Sequence, residues 1–172
     1  MQKVQGLKKN EKNHFKMNVT ITTDASFYHV GKVGGFAFQI KSNDGLIKEW
    51  GALQGNLSNP TEAELKSLLN ALFILQQKDY KITTLTINTD CKFIADSMFN
   101  IKDSWKPVTK KLVKKFKSYL SQLEYETLNI KHVKAHTGDL TNKVSWVNDW
   151  CDKKSRKGSK LASKIAAKGN SV

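Results

Sequence analysis

The sequence has few of the features that mark secreted or membrane proteins. It contains only two cysteines, Cys91 and Cys151, which are neither close together nor in a metal-ligand spacing. It has no apolar run of about 18 residues, and its first residues are polar and unlike a signal peptide. Neither a membrane span nor secretion is therefore expected. Both thiols are predicted to be reduced in a cytoplasmic protein, with a disulfide as the alternative.

Acidic residues are also scarce. The chain has 15 Asp and Glu against 29 Lys and Arg, which gives a formal net charge of +14. No single basic run is long enough to hold this excess in one tail. A polyanion is therefore the predicted partner, with nucleic acid favoured over an anionic surface.

The composition divides the chain into a structured centre and two basic ends. Its 172 residues, of which 39% are hydrophobic, suit one domain with a sizeable core. Residues 1–17 have few apolar positions and predict a flexible basic arm. Residues 18–158 form the predicted domain. Residues 159–172 are rich in Gly, Ser, Ala and Lys and predict a basic tail that continues as helix or frays.

The first half of the domain predicts an antiparallel meander followed by a helix. Alternating apolar and polar residues predict strands at 19–27, 34–42 and 46–53, and Asn43-Asp44-Gly45 is a hairpin signal between the last two. The helix has Asn59 as its N-cap and Pro60 at its first position. Leucines then recur at helical spacing, namely Leu65, Leu68, Leu69, Leu72 and Leu75.

The second half predicts a strand at 82–90, a short helix at 91–99, a helix that begins at Pro107, a strand at 128–134 and a final helix from about 143 or 145 to about 156. The Pro107 helix is expected to bury Val108, Leu112, Phe116, Leu120 and Leu123. The final helix has a weak apolar pattern. Because a strand, a helix and a further strand imply a parallel crossover, the predicted fold is α/β, with a five-stranded mixed sheet of three antiparallel and then parallel strands, flanked by helices.

Several carboxylates stand out by their position. Asp24 lies in a strand pattern, where Asp is disfavoured, and Asp90 ends a strand at the sheet edge where α/β proteins bind ligands. Glu64 borders a buried leucine stripe, where a carboxylate needs a cation. A turn at Asp24, a solvated Glu64 and an N-cap at Asp90 are the ordinary alternatives. The final helix adds Asp149 and Asp152, which periodicity does not separate.

The order of these residues resembles that of type 1 ribonuclease H. The matching segments are T-T-D-A-S around Asp24, T-E-A-E-L around Glu64, N-T-D-C around Asp90, V-K-A-H-T-G around His136 and N-D-W-C-D ending at Asp152. They span about residues 18–158 in family order. The resemblance implies an RNase H-like fold and an endoribonuclease that hydrolyses the RNA strand of RNA/DNA hybrids, leaving 5′-phosphate and 3′-hydroxyl ends.

The resemblance also implies roles for individual residues. It selects Asp152 over Asp149, and the metal-binding quartet would be Asp24, Glu64, Asp90 and Asp152. His136 would assist proton transfer or the release of product and metal. All-oxygen ligands suit two Mg²⁺ ions, with Mn²⁺ as a substitute, rather than zinc. Carboxylates about 4 Å apart repel by roughly 4 kcal/mol at an effective dielectric of 20, so such a cluster requires cations.

Two sets of residues are expected to contact the substrate. Those beside the metal motifs are Ser26, Asn59, Thr61 and Lys92, which would reach the minor groove or the phosphates. Those at the Pro107 helix are Trp105, Lys106, Lys110 and Lys114, which would track a phosphate backbone unless they form only a solvated face. Residues 100–106 are too short for the full basic, Trp-rich handle of many bacterial relatives. The lysines after Pro107 and both tails are therefore predicted to take over its role.

Two other functions stay open at this stage. One is a DNA-cutting integrase or resolvase of the same fold, against which Glu64, between two strand acids, is evidence. The other is a non-catalytic basic module that binds duplexes or a partner protein, against which the full quartet is evidence. A monomer is expected.

Overall fold

A five-stranded mixed sheet forms the centre of the protein. The computed structural model describes residues 16–97, 99–133 and 143–169. The strands are β1 Met17–Tyr28, β2 Val33–Ser42, β3 Gly45–Ala52, β4 Lys81–Thr89 and β5 Glu124–His132. The helices are α1 Pro60–Gln76, α2 Lys92–Ser97, α3 Pro107–Ser121 and α4 Lys143–Gly169. The sheet order is β3-β2-β1-β4-β5, antiparallel across β1, β2 and β3 and parallel across β1, β4 and β5. The predicted fold class is confirmed.

Strand β1 lies in the middle of the sheet and is covered on both faces. Val19 and Ile21 are fully buried in the main core, which they share with the leucines of α1 and with Phe116 of α3. Asp24 points to the opposite face, where it meets Ser155 of α4. The alternation predicted for this strand is therefore present, and it directs the acid away from the apolar core.

The start of α1 follows the predicted capping pattern. The side-chain oxygen of Asn59 accepts a hydrogen bond from the backbone N–H of Glu62 at 2.9 Å. The Glu62 carboxylate in turn accepts hydrogen bonds from the backbone N–H and the hydroxyl of Ser58, at 2.8 and 2.7 Å. Burial opposes its ionisation, but these bonds and the Lys66 ammonium at 3.0 Å hold the pKa of Glu62 below its usual value. Glu62 is thus used within the helix cap, and Glu64, about 200° further around the helix, is left for another role.

Helix α3 and strand β5 differ from the sequence prediction in detail. Helix α3 buries Thr109, Val113, Phe116 and Leu120, whereas Val108, Leu112 and Leu123 are only half-buried. Strand β5 begins at Glu124 rather than at 128, because its parallel pairing with β4 starts at Lys81 opposite Glu124. Pairing between strands, and not the local pattern, decides where this strand starts.

Helix α4 covers the other face of the sheet. It continues to Gly169, past the predicted end near 156, so residues 159–169 adopt the helical form, one of the two alternatives predicted for the tail. Its buried residues are small or polar: Asn148, Cys151, Ser155, Gly158, Ser159 and Ala162. This composition explains the weak apolar pattern. It also lets the backbones of α4 and the sheet approach closely. The closeness is seen at Gly35, where an added Cβ atom would lie 2.1 Å from the carbonyl oxygen of Ser155. A Cβ atom on Gly158 would lie 2.1 Å from that of Gly51.

Lysines and tryptophans alternate where α4 crosses the edge strand β3. The Nζ atom of Lys48 lies 5.3 Å from the ring centroids of both Trp146 and Trp150. The Nζ atom of Lys154 lies 5.2 Å from that of Trp50 and 5.8 Å from that of Trp150. Each such contact contributes about 0.5–1 kcal/mol at exposed sites. Together they hold the first half of α4 against the sheet.

Both cysteines are free thiols, in agreement with the prediction of reduced residues. Cys151 is fully buried on the face of α4 that packs against the sheet, and its Sγ atom lies 3.6 Å from the carbonyl oxygen of Thr22. Burial raises the pKa of Cys91 to about 11, so this group stays a neutral thiol at physiological pH. Within the described ranges, no helix combines the length and the apolar character that crossing a membrane requires.

Candidate active site

Strand register and one helix bring three acids together. Parallel pairing sets Thr23 of β1 opposite Thr89 of β4. The residues that follow them, Asp24 and Asp90, are therefore neighbours. Glu64 reaches the same point from the first turns of α1. Carboxylate oxygens of all three side chains lie within 4.8 Å of one another. The sheet edge thus gathers acids that are 26 to 66 positions apart in the chain, from Glu64 to Asp90 and from Asp24 to Asp90.

Hydrogen bonds orient two of these carboxylates. The hydroxyl of Ser155 donates to Oδ2 of Asp24 at 2.5 Å. The backbone N–H of Ala25 donates to Oε1 of Glu64 at 3.1 Å. The second oxygen of Glu64, Oε2, is shielded from solvent and has no hydrogen-bond partner among the described residues. Because an unpaired buried carboxylate oxygen is costly, a cation is its natural complement here.

Asp152 approaches the cluster from α4. Its Oδ1 atom lies 2.9 Å from Nε of Arg156, one helical turn further on. Its negative charge raises the pKa of both Asp24 and Asp90, so it lies within electrostatic range of them. It does not belong to the group of oxygens within 4.8 Å that the other three acids form. The structure thus brings three acids of the predicted quartet together and sets the fourth beside them, paired with an arginine.

Crowding and burial make these acids hard to ionise. Burial, with the charges of Asp90 and Asp152, raises the pKa of Asp24 to about 7, although the hydrogen bond from Ser155 favours the ionised form. Burial, with the charges of Asp24 and Asp90, raises the pKa of Glu64 well above its usual value. Burial likewise raises the pKa of Asp90. Acids arranged in this way release protons when a divalent cation binds. Acids on a solvated surface are already ionised at neutral pH and release none.

The fold and the acid cluster agree with a comparison to known families. A model of the RNase H family matches residues 16–160, a range that includes Asp24, Glu64, Asp90 and Asp152. The chain belongs to the RNase H family. A ribonuclease H from Prochlorococcus marinus (strain NATL2A) is 31% identical over 140 residues, which cover 74% of this chain and 82% of that protein. The resemblance seen in the five motifs is confirmed, and the protein is a nuclease of this family.

Solved structures of RNase H domains share the fold. The N-terminal RNase H domain of a Mycobacterium tuberculosis protein superposes with a TM-score of 0.69 at 16% identity, covering 88% of this chain and 99% of that one. LC11-RNase H1, which was isolated from compost by a metagenomic approach, was solved in complex with an RNA/DNA hybrid. It superposes with a TM-score of 0.66 at 16% identity, covering 84% of this chain and 99% of that one.

We expect the metal-free RNase H to lose stability as the pH rises from about 4 to about 7, because of Asp24. Its pKa is about 7 in the folded protein against 3.8 ordinarily, so between these values the folded state holds a proton that the unfolded state has released. The free energy of unfolding then falls as the pH rises. Urea unfolding in a chelator at pH 5 and pH 7.5 measures this change. Asp24→Asn should reduce the fall, and an equal fall in both proteins would contradict the assignment.

The other predicted site residues of this RNase H have varied surroundings. Ser26 lines a groove beside α4, Asn59 serves as the N-cap of α1, Thr61 is half-buried and Lys92 is exposed at the start of α2. Trp105 packs against Phe93 at a ring-centroid distance of 4.8 Å. Lys106 and Lys114 are exposed, and Nζ of Lys110 lies 3.8 Å from Asp103. His136 lies outside the described residues.

Three residues at the site were missed in the sequence. Ser155 and Arg156 follow Asp152 by one turn of α4, and this spacing is the signal that could have found them. The third is His132, which no motif in the sequence singles out. Its Nε2 atom lies 3.0 Å from the carbonyl oxygen of Asp90, because β5 pairs with β4 as far as Thr89 opposite His132. Only the strand pairing could have shown this contact.

Proposed function

We propose that this protein hydrolyses the RNA strand of RNA/DNA hybrids and leaves 5′-phosphate and 3′-hydroxyl ends. The observation that carries the proposal is the cluster of three acids, Asp24 within β1, Glu64 on α1 and Asp90 just after β4, in a chain of the RNase H family. The net charge of +14 suits a duplex with two phosphate backbones. The hybrid bound by LC11-RNase H1, which has the same fold, supports this choice of substrate.

The residues present fit divalent magnesium or manganese. Asp24, Glu64, Asp90 and Asp152 offer only carboxylate oxygens, the ligands that these hard ions prefer. The unpartnered Oε2 atom of Glu64 is an available donor, and the raised pKa values of the cluster indicate repulsion that cations relieve. Two such ions, when bound, supply an activated water and stabilise the leaving oxygen of a phosphodiester.

The protein's own residues prepare this cluster. The Ser155 hydroxyl holds Oδ2 of Asp24 and the Ala25 N–H holds Oε1 of Glu64, so each side chain keeps one oxygen for a cation. Arg156 partly balances the charge of Asp152. His136, by its position in the sequence after β5, would assist proton transfer or the release of product and metal.

Substrate choice would depend on the residues around the cluster. Ser26 and Thr61 lie on the strand and the helix that carry Asp24 and Glu64, and Lys92 begins α2 two residues after Asp90. These three side chains would sense 2′-hydroxyls or phosphates next to the scissile bond. Asn59 would add its amide, although its oxygen already caps α1. Trp105, Lys106, Lys110 and Lys114 belong to the α3 region and would contact the duplex further away. We also propose that the protein acts as a monomer in the cytoplasm, where its free thiols stay reduced.

A cleavage assay on matched duplexes tests the proposal. End-labelled RNA/DNA hybrid, double-stranded RNA and double-stranded DNA of one sequence are incubated with Mg²⁺, with Mn²⁺ and with a chelator. We expect cleavage of only the RNA strand, only in the hybrid and only with a divalent ion. Phosphatase sensitivity of the product ends reads out the 5′-phosphate.

Two outcomes would favour the alternative functions. Cleavage of double-stranded DNA would indicate an integrase or resolvase activity. Tight binding of the hybrid with no turnover in Mn²⁺ would indicate a non-catalytic binding module.

A further inference from the structure

Helix α4 carries a row of cations that begins at the acid cluster. After Asp152, a basic residue recurs at every fourth position: Arg156, Lys160, Lys164 and Lys168. Residues four apart lie on the same side of a helix, about 6 Å apart along its axis. The three lysines are exposed and have no acidic partner in the part of the chain that the structure describes. We call these three residues the α4 lysine row.

Lys160 and Lys164 of the row lie in one wall of a groove whose other wall is the end of β1, and Lys168 follows one turn beyond them on α4. The groove has a volume of about 540 Å³, and its lining residues are Ser26, Tyr28, Arg156, Ser159, Lys160, Ser163 and Lys164. Ser26 is two positions after Asp24 on the same strand, so the groove opens next to the acid cluster. Tyr28 is 49% exposed and offers a ring face at the far end of that strand.

The chemistry of this lining fits a phosphate backbone. Among the residues that the structure describes, it contains three cations, three serines and a tyrosine, and no carboxylate. Cationic and hydroxyl donors of this kind contact phosphate oxygens, and an exposed aromatic ring can stack against a base or pack against a sugar. The wall is therefore rich in donors along a line that starts at the acids.

The lysines of α3, which were predicted together with both tails to replace the basic handle, are partly engaged elsewhere. Lys110 lies near Asp103, Lys115 lies 5.2 Å from the ring centroid of Tyr119, and Lys117 donates to the carbonyl oxygen of Phe99 at 3.1 Å. Helix α2 ends at Ser97 and α3 begins at Pro107, which leaves little chain for a basic handle. The α4 lysine row has no comparable hydrogen bond, ion pair or ring contact with the residues at 16–97, 99–133 and 143–169.

We propose that the groove beside α4 holds the phosphate backbone of the strand that leaves the acid cluster, and that Lys160, Lys164 and Lys168 supply the affinity of a basic handle. This inference rests on the proposed function, because the occupant is one strand of an RNA/DNA hybrid. The row would extend substrate contact by about 18 Å from Asp152 to Lys164 at 1.5 Å per residue.

A charge-neutralising pair of substitutions tests the groove. The groove variant combines Lys160→Gln with Lys164→Gln. The control pair combines Lys78→Gln with Lys81→Gln and removes the same charge at the opposite end of the sheet, where α1 ends and β4 begins. Binding of a labelled hybrid is measured in a chelator over a range of salt concentrations, and cleavage is measured in Mg²⁺. Melting curves of the variants establish that they are folded.

We expect the groove variant to raise Kd and KM about tenfold or more near 0.1 M salt and to leave kcat within a factor of about two. The slope of log Kd against log salt should decrease by about 2, since two phosphate contacts are lost. The control pair should change the slope by much less. Lys110→Gln combined with Lys114→Gln should change Kd and the salt slope by less than the groove variant and by more than the control pair.

The outcomes separate this inference from the proposed function. If the groove variant and the control pair bind the hybrid with equal affinity and equal salt slope, the groove is overturned, whether or not the wild type cleaves. If the wild type binds the hybrid but does not cleave it in any metal, and the groove variant alone loses binding, the proposed function fails and the groove stands.

Discussion

Asp24→Asn should lower the rate of hybrid cleavage by more than about a hundredfold. Substitution of groups that only support a metal ligand costs about 10- to 100-fold, and Asp24 lies within the cluster itself. The amide keeps the shape of the side chain and can still accept the hydrogen bond from Ser155. It removes one negative charge from a cluster whose oxygens lie within 4.8 Å of one another. Rates in Mg²⁺ and in Mn²⁺ measure the effect.

The same substitution should not unfold the protein. Without metal at pH 7.5, Asp24→Asn should melt at the same temperature as the wild type or above it, because the repulsion between Asp24, Glu64 and Asp90 is relieved. Mg²⁺ should raise the melting temperature of the wild type and have less effect on the variant. Asp96→Asn, an exposed acid on α2, is the matched control and should change neither rate nor melting. A variant that cuts the hybrid near the wild-type rate would refute the role of Asp24.

Gly158→Ala should destabilise the protein by about 1–3 kcal/mol, the usual cost of overpacking. In the interior of a helix, alanine is normally favoured over glycine by about 1 kcal/mol, so propensity alone predicts the opposite sign. The new Cβ atom would lie 2.1 Å from the carbonyl oxygen of Gly51 and 3.0 Å from the Cα atom of Gly35. These are backbone atoms, which cannot turn aside, so α4 must move away from the sheet.

Because α4 carries Asp152 and Ser155, this movement should also reduce cleavage, by about a hundredfold if the acids shift by about 1 Å. Urea unfolding and cleavage rates measure both effects. The control is Gly31→Ala, whose Cβ atom would meet only side-chain atoms of Val33 and Tyr28, the nearest at 3.4 Å. If Gly158→Ala is as stable as the wild type or more stable, α4 and the sheet are less closely packed than these distances indicate.

Much of the fold could be predicted because its elements bury apolar side chains at regular intervals. The leucines of α1 recur at helical spacing, and all five are buried. Asn59 and Pro60 mark the start of that helix, and the structure begins it at Pro60. Asp24 could be singled out because Asp is disfavoured within a strand, and Asp90 because it ends a strand at the sheet edge where α/β proteins bind ligands.

Helix α4 was harder to predict because it does not pack through large apolar residues. Its contact with the sheet uses Cys151, Ser155, Gly158 and Ser159, which have little hydrophobic signal. Close approach of two backbones requires small residues, and small residues look like a polar tail in a sequence. The end of the helix was therefore expected near 156, followed by a tail that either continues as helix or frays, and the structure has the helix continuing to Gly169.

The order of the strands and helices, the cap of α1, the excess of positive charge and the order of the acids follow from the amino-acid sequence, because each depends on local spacing or on composition. Tertiary structure alone decided that Asp24, Glu64 and Asp90 share one point, that Ser155 and His132 reach them, and that the lysines of α4 line a groove beside them. The distances between these side chains depend on the register of the strands and on how closely α4 packs against the sheet. No local sequence pattern encodes either of these.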